Sequence, residues 1–284
     1  MTYREDRARF DRTHPYQTIM AGGAEFRFLR TGDPYAPALV LLNGGTNTSE
    51  LWMPYLEAEL GHIQIISFDY PMEFPDNQSL MTGLHSFFHV LGLEKPILMG
   101  ASYGGMAAQL YVQRYPDEVG GLILCASAGL DRETIRQIRR KYFFAPLLVQ
   151  YLKRCNYEKV KPKLIHSALK QTAAESPEHQ AYARDMMETI FDHYPREKDA
   201  HITGLMADLM NQTPLIPADL ARLKGRILLI LPEEDFFTPE LQQNLTALMG
   251  KPRMCIVRGG HLSTVLRADE YIQEIRLFLK DLGY

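Results

Sequence analysis

The sequence predicts an α/β fold: a mostly parallel eight-stranded sheet flanked by helices and interrupted by an inserted helical cap. Three observations lead there. Short apolar runs of strand type alternate with longer amphipathic stretches, the pattern of strands joined by helical crossovers. That alternation stops after Ala128 and resumes near Leu215, leaving about eighty residues of helical spacing with no strand-like run. The chain has 284 residues, 46% hydrophobic and 23% charged, which is room for one large domain or for a core with an insert.

Taken in order, strands are expected at 16–21 and 25–30, then at 39–42 (LVLL), followed by a helix over 49–60. The run IQIISF gives a strand at 63–68, and the next helix spans 77–92. PILMG at 96–100 is a strand leading into a helix over 103–115, and GLILCA at 121–126 is the sixth strand. The insertion covers 130–212, with breaks at Pro146, Pro162, Pro177 and Pro195. Regular alternation returns with a helix at 216–223, the strand RILLIL at 226–231, a helix at 239–249, the strand MCIVR at 254–258 and a closing helix at 267–281. Residues 1–129 and 213–284 thus form one discontinuous core. An all-helical insert between two strands is best explained as a lid over the sheet's carboxyl end, where open α/β folds bind ligands.

Composition excludes a disordered chain, a collagen-like repeat and a disulfide-stapled miniprotein. A net charge of −3 gives no global attraction to nucleic acid or to an anionic membrane, so such binding would have to come from a local patch. The cap is uneven in this respect. Residues 131–170 carry 11 Lys or Arg against 3 acids, and residues 171–212 reverse the sign. Two oppositely charged solvated faces explain this; a basic face meeting an anionic substrate, acidic partner or membrane surface is the sharper alternative. The three cysteines (Cys125, Cys155, Cys255) have no metal or redox spacing. The first dozen residues contain no signal-peptide core, no apolar run approaches the ~20 residues needed to span a bilayer, and the expected location is cytoplasmic.

Chemistry concentrates at Gly100-Ala101-Ser102-Tyr103-Gly104. This is G-x-S-x-G between an apolar strand and a helix, the context a nucleophile elbow requires. Side chains at positions 100 and 104 would collide with the neighbouring strand and helix, and the sharp turn lifts the serine hydroxyl above the sheet edge. A serine nucleophile needs a base and a carboxylate to orient that base. Of nine histidines, His261 follows the last strand in RGGHLS, at the sheet's carboxyl edge; His85, His89, His166 and His193 fall in helical stretches. The loop PEEDFFTPE after the seventh strand supplies the acid. Asp235 is the choice because Phe236 and Phe237 can keep the site dry and Thr238-Pro239 opens the next helix. Glu233 and Glu234 compete, and Asp131 is a distant alternative. For the oxyanion, two backbone N–H donors are expected: Tyr103, at the start of the elbow helix, and Gly45 in the loop Asn43-Gly44-Gly45-Thr46.

These residues together resemble the α/β-hydrolase fold superfamily of the serine hydrolase type. The matching features are the NGGT loop, Trp52 in the next helix, the GASYGG elbow, the PEEDFFTP loop and the GGHLS loop with its closing helix. FDYPMEF, GLEKPILMGASYGGMAAQ and GLILCASA are similar to the maspardin branch. Two departures stand out. Most serine members have His-Gly where this chain has Asn43-Gly44, and an Asp-x-x-Gly-x-Gly turn where it has Asp69-Tyr70-Pro71-Met72, which implies a reshaped pocket wall.

The expected activity is hydrolysis of a small carboxylic ester, lactone or thioester through an acyl-enzyme on Ser102, with no metal or organic cofactor required. The expected partner is an apolar small molecule with an ester-like carbonyl, not nucleic acid. Met and aromatic residues of the cap (Tyr142, Phe143, Phe144, Met186, Met187, Phe191, Met206, Met210) suit an apolar ligand chamber, although core packing explains the same pattern. The maspardin resemblance implies the alternative of a non-catalytic binding or adaptor protein that keeps the fold.

Overall fold

The computed structural model describes residues 2–173 and 175–284. Its strands are β1 (Gln17–Ala21), β2 (Ala24–Thr31), β3 (Ala38–Leu42), β4 (Gln64–Phe68), β5 (Ile97–Ala101), β6 (Gly121–Cys125), β7 (Ile227–Glu234) and β8 (Arg253–Gly260). They form one eight-stranded sheet in the order β1-β2-β4-β3-β5-β6-β7-β8. β2 pairs antiparallel with β1 and β4, and the remaining pairs are parallel. The predicted fold class and all eight strands are therefore present. β3 pairs with both β4 and β5, so the strand order reverses there, which is where open α/β sheets leave a crevice at their carboxyl ends.

Registers bring the chemistry to that edge. Leu42 pairs with Gly100, Ala101 with Cys125 and Cys125 with Ile230, so β3, β5, β6 and β7 reach the same edge together. β3, β4 and β6 are buried at every position because helices cover both faces. Side chains alternate between two cores: Val40, Leu42, Leu98 and Leu124 enter one, and Leu39, Leu41, Met99 and Cys125 the other.

The helices are α1 (Tyr3–Thr13), α2 (Met53–Leu56), α3 (Asn77–Val90), α4 (Tyr103–Arg114), α5 (Arg132–Lys141), α6 (Ala145–Leu152), α7 (Lys161–Leu169), α8 (Pro177–Asp192), α9 (Arg196–Asp208), α10 (Pro239–Leu248), α11 (Ser263–Leu266) and α12 (Ala268–Asp281). Helices α5–α9 all lie between β6 and β7. The prolines that break this stretch open its helices: Pro146 and Pro162 lie in the first turns of α6 and α7, Pro177 is the first residue of α8, and Pro195 caps α9. The helix expected over 49–60 is instead a 3₁₀ turn, Ser49–Trp52, followed by the single turn of α2; the stretch 217–223 is also 3₁₀.

Helix α1 was not anticipated. Its signal is a capping box: the Thr2 side chain accepts from Glu5 N, and the Glu5 carboxylate accepts from Thr2 N at 2.9 Å. The charge-dense composition obscures this, because only Tyr3 and Phe10 are buried. Among the described residues, no helix is long and apolar enough to cross a membrane.

Candidate active site

Ser102 stands between β5 and α4 with φ 54° and ψ −121°, a backbone state that costs an L-residue about 1–3 kcal/mol unless its surroundings enforce it. They do. The Ser102 N–H donates to Cys125 O at 3.1 Å, and Ser127 Oγ donates to Ser102 O at 2.7 Å. A methyl group at Gly100 would strike the Gly104 and Gly105 backbone, and one at Gly104 would strike the Leu42 carbonyl, so only glycine lets α4 start this close to β3 and β5. The Ser102 hydroxyl is not used to cap α4, and no hydrogen bond joins it to His261 among the described residues. Catalytic hydrogen bonds of this kind often form only once substrate is bound.

His261 follows β8, and its Nδ1 donates to Asp235 Oδ1 at 2.9 Å. The Asp235 side chain is 1% exposed, and its Oδ1 also accepts from Phe237 N at 3.2 Å. Phe236 packs on the imidazole with ring centroids 4.1 Å apart, and Phe237 lies edge-on at 5.7 Å. With Nδ1 engaged by the carboxylate, Nε2 is the nitrogen left for proton transfer. The rival acids are elsewhere: Glu233 and Glu234 are exposed, and Asp131 caps α5 by accepting from Glu133 N and Thr134 N.

The loop after β3 is braced from beneath. Asn43 is buried, its Nδ2 donates to Phe68 O at 2.6 Å, and its Oδ1 accepts from Trp52 Nε1 at 2.9 Å. Tyr70 OH donates to Asn43 O at 2.8 Å, and Asn47 Oδ1 accepts from Tyr70 N at 2.6 Å. Burial, reinforced by the neighbouring Tyr103, holds the Tyr70 phenol far above its usual range, so it remains a donor. Asn43 thus anchors this loop through its own side-chain contacts. Tyr70 lies under the loop and is not among the residues that line the cavity at Ser102, so the Asp69–Met72 turn acts on that wall through the loop above it. Gly44 lies against Ser102 and Gly45 against Met206 of α9. Tyr103 N–H, at the first position of α4, has no intrahelical acceptor. Its side chain turns away, the phenol donating to Asn77 Oδ1 at 2.8 Å.

Two cavities meet at Ser102. The first, of about 440 Å³, is lined by Gly44, Gly45, Trp52, Ser102, His261 and residues of α7–α9, including Leu164, Met187, Phe191 and Met206. The second, of about 310 Å³, is lined by Ser102, Tyr103, Ile138, Lys141, Tyr142 and Phe237. Met206 and Phe236 line both and so mark their boundary. Asp199 is the acid in the first cavity. Burial raises its carboxyl above the usual carboxylate range, opposed by a hydrogen bond from Tyr157 OH at 3.1 Å. Of the cap residues singled out from sequence, Tyr142, Met187, Phe191 and Met206 line cavities, Met186 is core, and Phe143 and Phe144 are exposed.

Several contributors carry no local signature. Tyr194 OH donates to Thr46 O at 2.7 Å, tying the α8–α9 connection to the loop after β3. Glu175, between α7 and α8, packs against Gly259 and accepts from Arg267 at 2.9 Å and His179 at 3.1 Å. One group of potential metal ligands converges among the described residues, His85, His89 and Glu118. It lies towards the carboxyl ends of α3 and α4, at the opposite edge of the sheet from Ser102, and a His85–Glu118 hydrogen bond of 3.1 Å accounts for it.

A doubly covered sheet that reverses strand order beneath a strained serine defines an α/β hydrolase architecture. The chain belongs to the alpha/beta hydrolase family, whose model matches residues 39–274. Among known proteins it is similar to a poly(3-hydroxyalkanoate) depolymerase of Ectopseudomonas oleovorans, 28% identical over 35% of this chain and 38% of that protein. It is also similar to the monoacylglycerol lipase ABHD6 of Homo sapiens, 27% identical over 40% of this chain and 37% of that one, so the match spans well under half of either relative. Similar solved structures include a thermophilic esterase of Thermogutta terrifontis (TM-score 0.72, 20% identity, 95% of this chain and 99% of that chain). Another is the enol-lactonase of Burkholderia xenovorans (TM-score 0.72, 17% identity, 93% and 100%).

Proposed function

We propose that the protein is a serine hydrolase of small carboxylic esters, lactones or thioesters, with Ser102 as nucleophile, His261 as general base and acid, and Asp235 as its orienting carboxylate. The observation that carries this reading is the 2.9 Å hydrogen bond from His261 to the buried Asp235 side chain, with His261 lining the same cavity as Ser102, whose backbone is strained and whose hydroxyl caps no helix. Ser102 Oγ adds to the carbonyl carbon while its proton passes to His261 Nε2. The resulting oxyanion takes hydrogen bonds from the Gly45 and Tyr103 N–H groups. Collapse expels the alcohol or thiol, which receives the proton from His261, and water then repeats the sequence on the acyl-enzyme to release the acid. Asp235 stabilises the imidazolium without taking its proton. Residues 130–212 act as the cap, whose apolar lining selects substrates. The names of the relatives (esterase, lactonase, depolymerase, lipase) fit ester chemistry.

Ser102→Ala is expected to lower turnover of short p-nitrophenyl esters at least about 10³-fold and to abolish labelling by a fluorophosphonate probe. Unchanged turnover in a folded variant overturns the assignment. Absence of labelling and turnover in the folded wild type favours the binding-protein alternative.

A further inference from the structure

Five large apolar side chains within nine positions of the cap face solvent: Phe143 67%, Phe144 68%, Leu147 69%, Leu148 46% and Tyr151 58% exposed. Phe144, the N-cap residue of α6, and Leu147, Leu148 and Tyr151 within it follow i, i+3, i+4, i+7 spacing, so they lie along one side of the helix. An adjoining face already has a partner, because Ala145 and Leu152 are buried. A helix stripe of this kind normally enters a core, and its exposure calls for an apolar partner.

Charge identifies that partner. Arg139, Arg140 and Lys141 end α5, Lys153 and Arg154 follow α6, and all five are exposed. The acids of this stretch are occupied, Asp131 in capping α5 and Glu133 with Arg136. An apolar stripe with basic groups at both ends matches an anionic bilayer surface, where aromatic and leucine side chains enter the headgroup boundary while Lys and Arg meet lipid phosphates. The stripe is also continuous with the site. Lys141 and Tyr142, which immediately precede Phe143, line the second cavity at Ser102.

We propose that the α5–α6 corner of the cap docks on an anionic phospholipid membrane, and that the second cavity receives a lipid ester from that surface. The docking half stands on the surface alone; the lipid-ester half rests on Ser102 being the nucleophile. The test uses the full-length Ser102→Ala protein in flotation with vesicles of phosphatidylcholine alone or with about one third phosphatidylglycerol. Binding to the anionic vesicles is expected, decreasing as salt rises. The double variants L147S/L148S and R140E/R154E should each lower partitioning at least about tenfold. Made in the wild type, the same substitutions should leave the melting temperature and turnover of a soluble p-nitrophenyl ester unchanged, since none of these residues lines either cavity.

No flotation with either vesicle, or flotation equal in the variants, overturns the docking proposal. So does light scattering that shows a dimer abolished by L147S/L148S without vesicle binding, because the stripe then serves a second copy of the chain. Vesicle binding together with Ser102-independent ester turnover would retain the membrane surface and refute the nucleophile assignment; the converse result would separate the two the other way.

Discussion

The most exacting test of the site lies beneath it, at Tyr70. Tyr70→Phe removes one oxygen from a 2% exposed ring and leaves the Asn43 carbonyl without the donor 2.8 Å away. Loss of a buried hydrogen bond, with its acceptor left unsatisfied, costs about 1–3 kcal/mol of stability. The functional effect comes through the loop. Asn43 and Asn47 are held by Phe68, Trp52 and Tyr70, and the segment between them carries Gly45, whose N–H we propose as an oxyanion donor. Complete loss of one oxyanion donor costs about 10²–10³ in kcat. Partial misplacement of a donor that remains present should cost about tenfold, which is ~1.4 kcal/mol in the barrier. Because that interaction operates only in the transition state, kcat should fall while KM changes little. Steady-state hydrolysis of p-nitrophenyl butyrate, with a urea melt of the same preparation, reads both numbers. Trp52→Phe, which removes the donor to Asn43 Oδ1, should act in the same direction. A variant that loses stability but keeps kcat would refute the coupling and reduce the network to a folding element; an increase in KM alone would place Tyr70 in substrate binding.

Asp235→Asn should preserve the fold and lower kcat by about 10³–10⁴, since the amide cannot stabilise the imidazolium; near-normal turnover would return Glu233 or Glu234 to consideration. Glu175→Gln tests the support of the His261 loop. Burial alone would raise the Glu175 carboxyl, but hydrogen bonds from His179 and Arg267 outweigh it and hold it below its ordinary 4.5, so the stabilisation is complete above that pH and is lost as pH falls through the lowered value. The variant should lose about 1–3 kcal/mol near neutrality and converge with the wild type in acid, as thermal melts across pH would read; a constant deficit contradicts this. Asp199→Asn has the opposite sign. A carboxyl raised by burial favours the fold most when protonated, so the amide should melt higher than wild type at neutral pH, with the gain shrinking in acid, and should lower KM for apolar esters. An unchanged neutral melting temperature would show that Asp199 is solvated in the protein.

How much of this was legible follows from where each signal lives. The central strands announce themselves because a sheet covered on both faces needs continuous apolar runs, as in ALVLL and ILLIL. Ser102 is legible because its strained backbone demands glycine at fixed offsets, and His261 and Asp235 because each follows a recognisable strand. Helix α1 escaped because its capping box lies in a segment dominated by charge. The contact between Tyr194 and Thr46 joins residues 148 positions apart, and that between Arg267 and Glu175 residues 92 apart; neither partner carries a local pattern that names the other. Phe143 and Phe144 show the opposite limit, since an exposed stripe and a buried one have the same spacing in sequence and only packing separates them.

The long-range contacts share a feature that bears on how the cap works. Tyr194 holds Thr46 in the loop that carries Gly45. Asp208 Oδ2 accepts from Asn77 Nδ2 at 2.9 Å, and Asn77 in turn accepts from Tyr103 at the elbow. Glu175 packs on Gly259, two residues before His261, and pairs with Arg267 beyond it. Three of the loops that converge at the edge of the sheet, those after β3, β5 and β8, are therefore each gripped by a different part of the helical insert. A lid that only selected substrates would need to touch nothing but substrate. On the proposed function, one that braces the loop carrying Gly45, the elbow and the His261 loop would also contribute to their preorganisation, and preorganised donors gain their catalytic value by not having to move when charge develops. Substitutions in the cap far from either cavity should accordingly appear in kcat as well as in KM, and α7–α9, which supply or flank all three contacts, are where that effect belongs.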